Sequence, residues 1–325
     1  MFSSKIVGFE SYVPANIVTN DDLSKIVETS DEWIYTRTGI SKRCLSTNEN
    51  TSDFAINVGK KLIENSNISA EDIDIVIVAT ITSDYLTPST ACIVQGAIGA
   101  KNALAFDINV ACSGFVYALS IADKFLKSGI YKNAIVIGAE TLSKLLDWSD
   151  RSTCVLFGDG SGGVLLTACE DYNSIIAEDL KANGVSWQTI TGGKLNNNNP
   201  FIKEEIEKDN FYLQMNGREV FNFATKTVPK SINTILGKAN ITLDDIKYIV
   251  PHQANSRIVE VVAKKLKVSL DKFYLNLQTY GNTSAASIPI ALAEMSEKGL
   301  LQKGDKIIIT GFGAGLTWAS MLIQI

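Results

Sequence analysis

Short runs of β-branched and aliphatic residues recur along the chain, separated by longer stretches in which apolar positions return every three or four residues. The runs at 73–80, 134–138, 155–157, 248–250 and 306–310 have the length and composition of strands buried on both faces. The stretches 51–65 and 218–236 read as amphipathic helices; the second sets Val220, Phe221, Ala224, Val228, Ile232 and Ile235 along one face. This alternation predicts an α/β fold with largely buried sheets. Residues 29–32, ahead of Trp33 and Ile34, read as a capping box that opens a short helix. Residues 186–210 hold Gly192-Gly193, four consecutive Asn at 196–199 and Pro200, and read as a surface loop or flap.

An internal repeat organises these elements. The segment 69–76 resembles 242–249, at an offset of 173 residues. The same offset carries Asn109 onto Asn282, Ala118-Leu119 onto Ala291-Leu292, and Gly138 onto Gly311. Local slips of a few residues separate these anchors, but one shared offset over separated segments favours duplication over chance. The chain therefore divides into two similar halves, 1–172 and 173–325.

Composition narrows the function. A net charge of -5 with 20% charged residues argues against a nucleic-acid binder. No apolar run reaches the roughly 18 residues of a membrane span, and the N-terminal stretch lacks a secretory pattern. Five widely spaced cysteines and one histidine offer no ordinary zinc set, so no metal is expected. Together these point to a cytoplasmic protein.

The lone histidine, His252, follows the strand at 248–250, where α/β folds place functional groups. A structural role under a loop is the plain alternative. Cys112 sits between the strand-like 105–108 and a helical pattern Phe115, Leu119, Ala122, Leu126. A thiol at such a helix N-terminus is favoured as thiolate, and Ala111, Ser113 and Gly114 leave room for a substrate. Cys92, Cys154 and Cys169 lie in apolar runs and read as packing residues, while Cys44 beside Lys42 and Arg43 reads as surface or partly buried. Asn282 falls opposite the Cys112 turn by the repeat and offers an amide to a developing oxyanion, or else serves as a turn residue before a helix. The Gly-rich segment 311–318 can aim backbone N–H groups at a carbonyl, or simply join two strands. Gly158, Gly160 and Gly163 match a dinucleotide fingerprint, but a strand and not a helix follows, so nicotinamide binding is rejected. No GxSxG elbow occurs.

Taken together, the segments 31–40, 111–115, 251–255, 281–286 and 311–318 resemble β-ketoacyl-acyl-carrier-protein synthase III, of the thiolase superfamily. The resemblance runs over almost the whole chain in order. It implies a thiolase-like, duplicated, five-layered αβαβα fold, usually a homodimer. It implies that Cys112 accepts the acyl group, and that His252 and Asn282 bind the malonyl thioester oxygen during decarboxylation. The backbone N–H groups of Cys112 and Ala314 would form the oxyanion hole, with Ala314 standing where glycine is often found. Trp33 and Arg151 would sandwich the coenzyme A adenine, with Arg37 near its phosphate; Gly217, Phe221 and Asn255 would line the pantetheine tunnel. Arg257, Lys264 and Lys265 form a basic patch suited to an acidic carrier protein, although a merely solvated helix face would look the same. Thr87 stands where many relatives carry an aromatic that limits acyl-pocket depth.

The expected activity is a decarboxylating Claisen condensation. An acyl-CoA primer and malonyl-acyl carrier protein give 3-ketoacyl-carrier protein, through an acyl-cysteine, to start fatty acid synthesis. Coenzyme A enters as part of the substrate, and no resident cofactor is expected. Two alternatives are an acyltransferase of a specialised pathway on the same fold, and a non-catalytic acyl-CoA-binding paralogue. A hydroxymethylglutaryl-type synthase is disfavoured, because residues 79–82 carry no acid.

Overall fold

The computed structural model describes residues 2–197, 199–201 and 211–325. The first half runs β1 (Ser3–Tyr12), β2 (Ile17–Thr19), α1 (Asn20–Leu23), α2 (Asp31–Thr38), β3 (Lys42–Cys44) and α3 (Thr51–Glu64). It continues through β4 (Ile75–Ala79), α4 (Thr90–Ala97), β5 (Leu104–Ile108), α5 (Gly114–Lys127), β6 (Asn133–Glu140) and β7 (Gly160–Cys169). The second half opens with β8 (Ile175–Ala182), β9 (Ile190–Thr191), β10 (Gln214–Met215) and α6 (Gly217–Ala239). Then come β11 (Tyr248–Pro251), α7 (Ser256–Leu266), α8 (Leu277–Tyr280), α9 (Ser287–Glu297), β12 (Lys306–Gly313) and β13 (Thr317–Gln324).

Two sheets carry the fold. The first has the order β1-β7-β6-β4-β5, the second β8-β13-β12-β11. Matched by position, the orders are the same; in the second sheet only an isolated bridge from Ile249 to Phe273 stands where the first has β5. Helices α3 and α4 cover the outer face of the first sheet, α5 and α9 fill the space between the sheets, and α6 and α7 cover the second. The result is the five-layered αβαβα arrangement. The strand residues explain it: Ile75–Ala79 is buried throughout, as a strand covered on both faces must be. On α5, Phe115, Leu119, Ala122 and Leu126 are all buried, so the helical spacing seen in the sequence is the stripe that meets the sheets. Among the described residues, no helix is long and apolar enough to cross a membrane.

Several local expectations need correction. Val155 and Phe157 are buried and Leu156 half-buried, but the run is not a strand; only Phe157 bridges, to Asn282. Their backbone bonds instead to the Arg43 guanidinium (Nη2 to the Val155 carbonyl, 2.8 Å) and to Asn282 N–H (to the Leu156 carbonyl, 2.9 Å). A short apolar run does not by itself distinguish these fates. Helix α2 is capped one residue later than expected, by Ser30 accepting from the Trp33 N–H, so no capping box spans 29–32. Cys44 is buried; Cys92 is exposed and Cys169 half-buried, leaving Cys154 as the packing cysteine of those three. The expected flap is in part a small β9–β10 ribbon, and the rest of 186–210 lies partly outside the described residues. The glycines of the rejected dinucleotide match belong to packing: a Cβ at Gly158 would lie 2.3 Å from the Tyr280 carbonyl oxygen, and one at Gly163 2.9 Å from that of Val136.

Candidate active site

The chain reverses sharply where β5 gives way to α5. Cys112 sits in the single 3₁₀ turn Ala111–Ser113, and Ala111 adopts a left-handed φ of 45° to make it. The second half repeats this turn at Ser284–Ala286, with Ser284 at φ 48°. A non-glycine residue held there costs of order 1–3 kcal/mol, and such strain gathers at functional sites. Strand β12 packs directly against the Cys112 turn. A Cβ at Gly313 would lie 2.8 Å from the Cys112 N and 3.1 Å from its Cβ, so glycine is required for the approach.

Cys112, His252 and Asn282 line one cavity of about 220 Å³, together with Ala314, Gly217, Phe221 and Asn255. The thiol comes from the first half and the imidazole and amide from the second. Burial pushes the Cys112 thiol up to about 12, although Ser284 beside it works in the opposite direction. The expectation that the helix terminus favours a thiolate is therefore overridden: desolvation outweighs the helix field.

His252 is 2% exposed, and burial pulls its pKa down to about 3, so the ring is neutral across the physiological range. Its Nδ1 lies 2.7 Å from the Ser287 hydroxyl, whose oxygen is also 2.9 Å from the Ser284 carbonyl. Phe312 meets the ring edge-on at 5.4 Å between centroids. Asn282 is fixed by its Oδ1, which accepts from the Ser284 N–H at 2.9 Å, while its backbone ties to Leu156 and Gly158. With Oδ1 so used, the Nδ2 end of the amide is the part left for the cavity. Ala314 is not among the described non-glycine residues with left-handed φ, so alanine carries that backbone N–H without strain.

The remaining expected residues lie further out. Arg37 and Arg151 both pack on Trp33, their guanidinium carbons 4.5 and 5.1 Å from its ring centroid. Asn255 donates to the Arg37 carbonyl (3.0 Å), and Ser152, next to Arg151, lines the cavity, so this cluster adjoins its mouth. The contact leaves no ring-width gap between Trp33 and Arg151. Arg257, Lys264 and Lys265 are exposed on α7, with Lys265 bonded to the Thr225 carbonyl at 2.9 Å. Thr87 is exposed on the single chain, beside the exposed Tyr85 and Leu86, and does not line this chain's own cavity. Ile81, Leu142, Phe157 and Leu213 form the apolar wall of that cavity. The sequence reading also missed Ser284, although it lies within the 281–286 segment, Ser287 just past it, and Glu140, just past the strand expected at 134–138.

Two family models match in sequence: 3-oxoacyl-[acyl-carrier-protein (ACP)] synthase III over residues 106–184, and its C-terminal part over 236–325. Among curated relatives, the β-ketoacyl-[acyl-carrier-protein] synthase III of Clostridium novyi is 55% identical over 100% of this chain and 99% of its own length. The chain belongs to the 3-oxoacyl-[acyl-carrier-protein] synthase III family. The Clostridium acetobutylicum synthase III is 53% identical, with 100% of this chain and 99% of that protein covered. The crystal structure of the family member from Aquifex aeolicus superposes with a TM-score of 0.93 at 44% identity, covering 99% of this chain and 100% of that one. The priming β-ketosynthase of the R1128 polyketide pathway superposes at 0.92 with 30% identity, covering 99% and 96%. The synthase III fold is thus common to members of more than one pathway.

Proposed function

We propose that the protein condenses an acyl-CoA primer with malonyl-acyl carrier protein, with loss of CO₂, to give the 3-ketoacyl-carrier protein that starts fatty acid synthesis. The observation that carries this reading is the convergence of a thiol, a neutral imidazole and a carboxamide from two halves of the chain on one apolar cavity. Full-length identity of 55% and 53% to two synthase III proteins favours it over a specialised acyltransferase or a non-catalytic binder.

Cys112 attacks the primer thioester and stores the acyl group as a new thioester. The tetrahedral oxyanion sits between the backbone N–H groups of Cys112 and Ala314. Malonyl-carrier protein then enters, and His252 and Asn282 donate to its thioester oxygen as CO₂ leaves and the enolate forms. Both donors are neutral, so they stabilise the enolate without protonating it outright. For His252 to donate from Nε2, the Ser287 hydroxyl must turn its one hydrogen from the Ser284 carbonyl to hydrogen-bond Nδ1, which fixes the tautomer. The enolate carbon attacks the Cys112 thioester and releases the product. Coenzyme A serves as substrate carrier: Gly217, Phe221 and Asn255 flank the pantetheine, and Trp33, Arg37 and Arg151 meet the nucleotide once Arg151 swings away. Arg257, Lys264 and Lys265 receive the acidic carrier.

We read 1–172 and 173–325 as duplicated halves, a reading that the shared strand order supports. A homodimer is supported by β5, an unpaired edge strand with a half-buried Leu104–Ile108 run. Five free cysteines suit a reducing cytoplasm.

Intact-protein mass spectrometry with acyl-CoA, followed by CO₂ release from malonyl-carrier protein, tests the assignment. Cys112→Ala loses the acyl adduct. His252→Ala keeps it but loses about 10²–10³ in decarboxylation. Normal condensation by both variants would refute the site.

A further inference from the structure

Glu140 ends β6 directly beneath the nucleophile turn and is wholly buried. Its Oε2 accepts three hydrogen bonds, from Thr82 Oγ1 (2.6 Å), the Ile81 N–H (3.1 Å) and Thr80 Oγ1 (3.2 Å). Its Oε1 is buried with no partner, and so is the hydroxyl of Ser284, which lines the cavity beside Cys112. The Ser284 side chain lies close enough to act on both the Glu140 carboxyl and the Cys112 thiol; buried polar atoms seldom go unpaired, and two of them together beside a nucleophile call for an explanation. The packing that brings them together is tight: a Cβ at Gly138 of β6 would lie 2.3 Å from the Ala285 carbonyl oxygen. The steps described so far give Cys112 no group to take its proton, since His252 and Asn282 are kept for the malonyl oxygen.

We propose that Glu140, acting through the Ser284 hydroxyl, takes the Cys112 proton when the enzyme is acylated. The idea rests on the reading that Cys112 is the acyl acceptor. The thiol proton passes to Ser284 Oγ as the Ser284 proton passes to Glu140 Oε1. The thiolate attacks the acyl carbon; a carbon–sulfur bond forms to Cys112, and the bond to the coenzyme A sulfur breaks with its electron pair. The proton stored on Glu140 returns through Ser284 to the departing thiolate. One negative charge is present throughout, and it moves from carboxylate to sulfur, so two anions never face each other in the dry site.

The electrostatics agree. Burial pushes the Glu140 carboxyl up to about 7, the range in which a proton acceptor is most useful at neutral pH. The titratable groups facing it are Cys112 from the nucleophile turn and Lys144 from the turn after β6; Asp84 and Asp159 face Lys144 in turn. Lys144 Nζ donates to the Thr82 carbonyl at 2.9 Å, so its charge supports the Thr82–Glu140 contact from the far side.

Alkylation of Cys112 by iodoacetamide in the full-length protein, followed by peptide mass mapping as pH is varied, tests the relay without any substrate. In the wild type the rate should rise through a midpoint near pH 7, as Glu140 ionises, and then level off. Glu140→Gln keeps the shape and three of the bonds but removes the acceptor; it and Ser284→Ala should lack that step and alkylate tenfold or more slowly at pH 8. Acyl-adduct formation from acyl-CoA should slow by about 10²-fold or more in both, while decarboxylation by protein already acylated stays near wild type. Wild-type pH profiles in both variants would overturn the relay, and so would equal losses in acylation and decarboxylation. If Glu140→Gln does not fold, Ser284→Ala decides alone. Should acyl-CoA fail to label Cys112 at all, the proposed function fails, while the alkylation profile still reads the relay separately.

Discussion

Replacing Glu140 with Gln should make the protein more stable at alkaline pH. The carboxyl has an ordinary value of 4.5 and is raised by burial to about 7 in the folded chain. The folded state therefore holds a proton that the unfolded state releases between those values. Its contribution to stability is present below pH 4.5, declines as pH climbs, and is gone once pH passes about 7. Moving a fully buried carboxyl across that interval corresponds to about 3 kcal/mol. Gln cannot ionise, and with its carbonyl oxygen in the place of Oε2 it keeps the bonds from Thr80, Ile81 and Thr82. Its amide then fills the Oε1 position and donates to the unpaired Ser284 hydroxyl. Urea unfolding at fixed protein concentration, near pH 5 and near pH 9, measures the effect. The two proteins should be close at the acid end, and the variant should lead by about 3 kcal/mol at the alkaline end. Other buried groups titrate in both proteins and cancel in the difference. Parallel losses of stability would refute the claim that Glu140 is forced to ionise in a dry site. A stabler but slower enzyme would show that the carboxyl is kept for its chemistry.

The glycine of β12 is open to a similar test. Gly313→Ala puts a Cβ 2.8 Å from the Cys112 N, and the nucleophile must shift to relieve it; acyl-adduct formation should fall by about 10²-fold, and an unchanged rate would sink the packing argument. Ser287→Ala frees His252 Nδ1, and should slow CO₂ release about tenfold with acylation unaffected. Because His252 is pulled down to about 3, decarboxylation should show no titration of this ring from about pH 5 upward; a rate step near pH 6.5 would contradict its burial. Reversing Arg257 and Lys264 to Glu should raise KM for malonyl-carrier protein several-fold, leave kcat unchanged and flatten the salt dependence; a fall in kcat alone would move the carrier site elsewhere.

Periodicity in the sequence determined the layers. The buried run at 75–79 and the stripe Phe115, Leu119, Ala122 and Leu126 need no tertiary information to be read, because a strand covered on both faces and a helix between sheets each admit one apolar pattern. The 173-residue offset placed Asn282 opposite the Cys112 turn, and the structure has matching strained turns at Ala111 and Ser284. The single histidine and the motif resemblance supplied the remaining candidates, and all three meet in one cavity. Other features depended on distance in space. Residues 155–157 are apolar enough for a strand, yet their backbone is claimed by Arg43 and Asn282, and neither partner is close in sequence. The thiol at a helix N-terminus promised an anion, but that field is local while desolvation is set by everything packed around the sulfur, and burial won. Glu140 and Ser284 acquire meaning only together. The chain separates them by well over a hundred residues, and only the stacking of one half on the other sets an unpaired carboxyl oxygen beside an unpaired hydroxyl under Cys112.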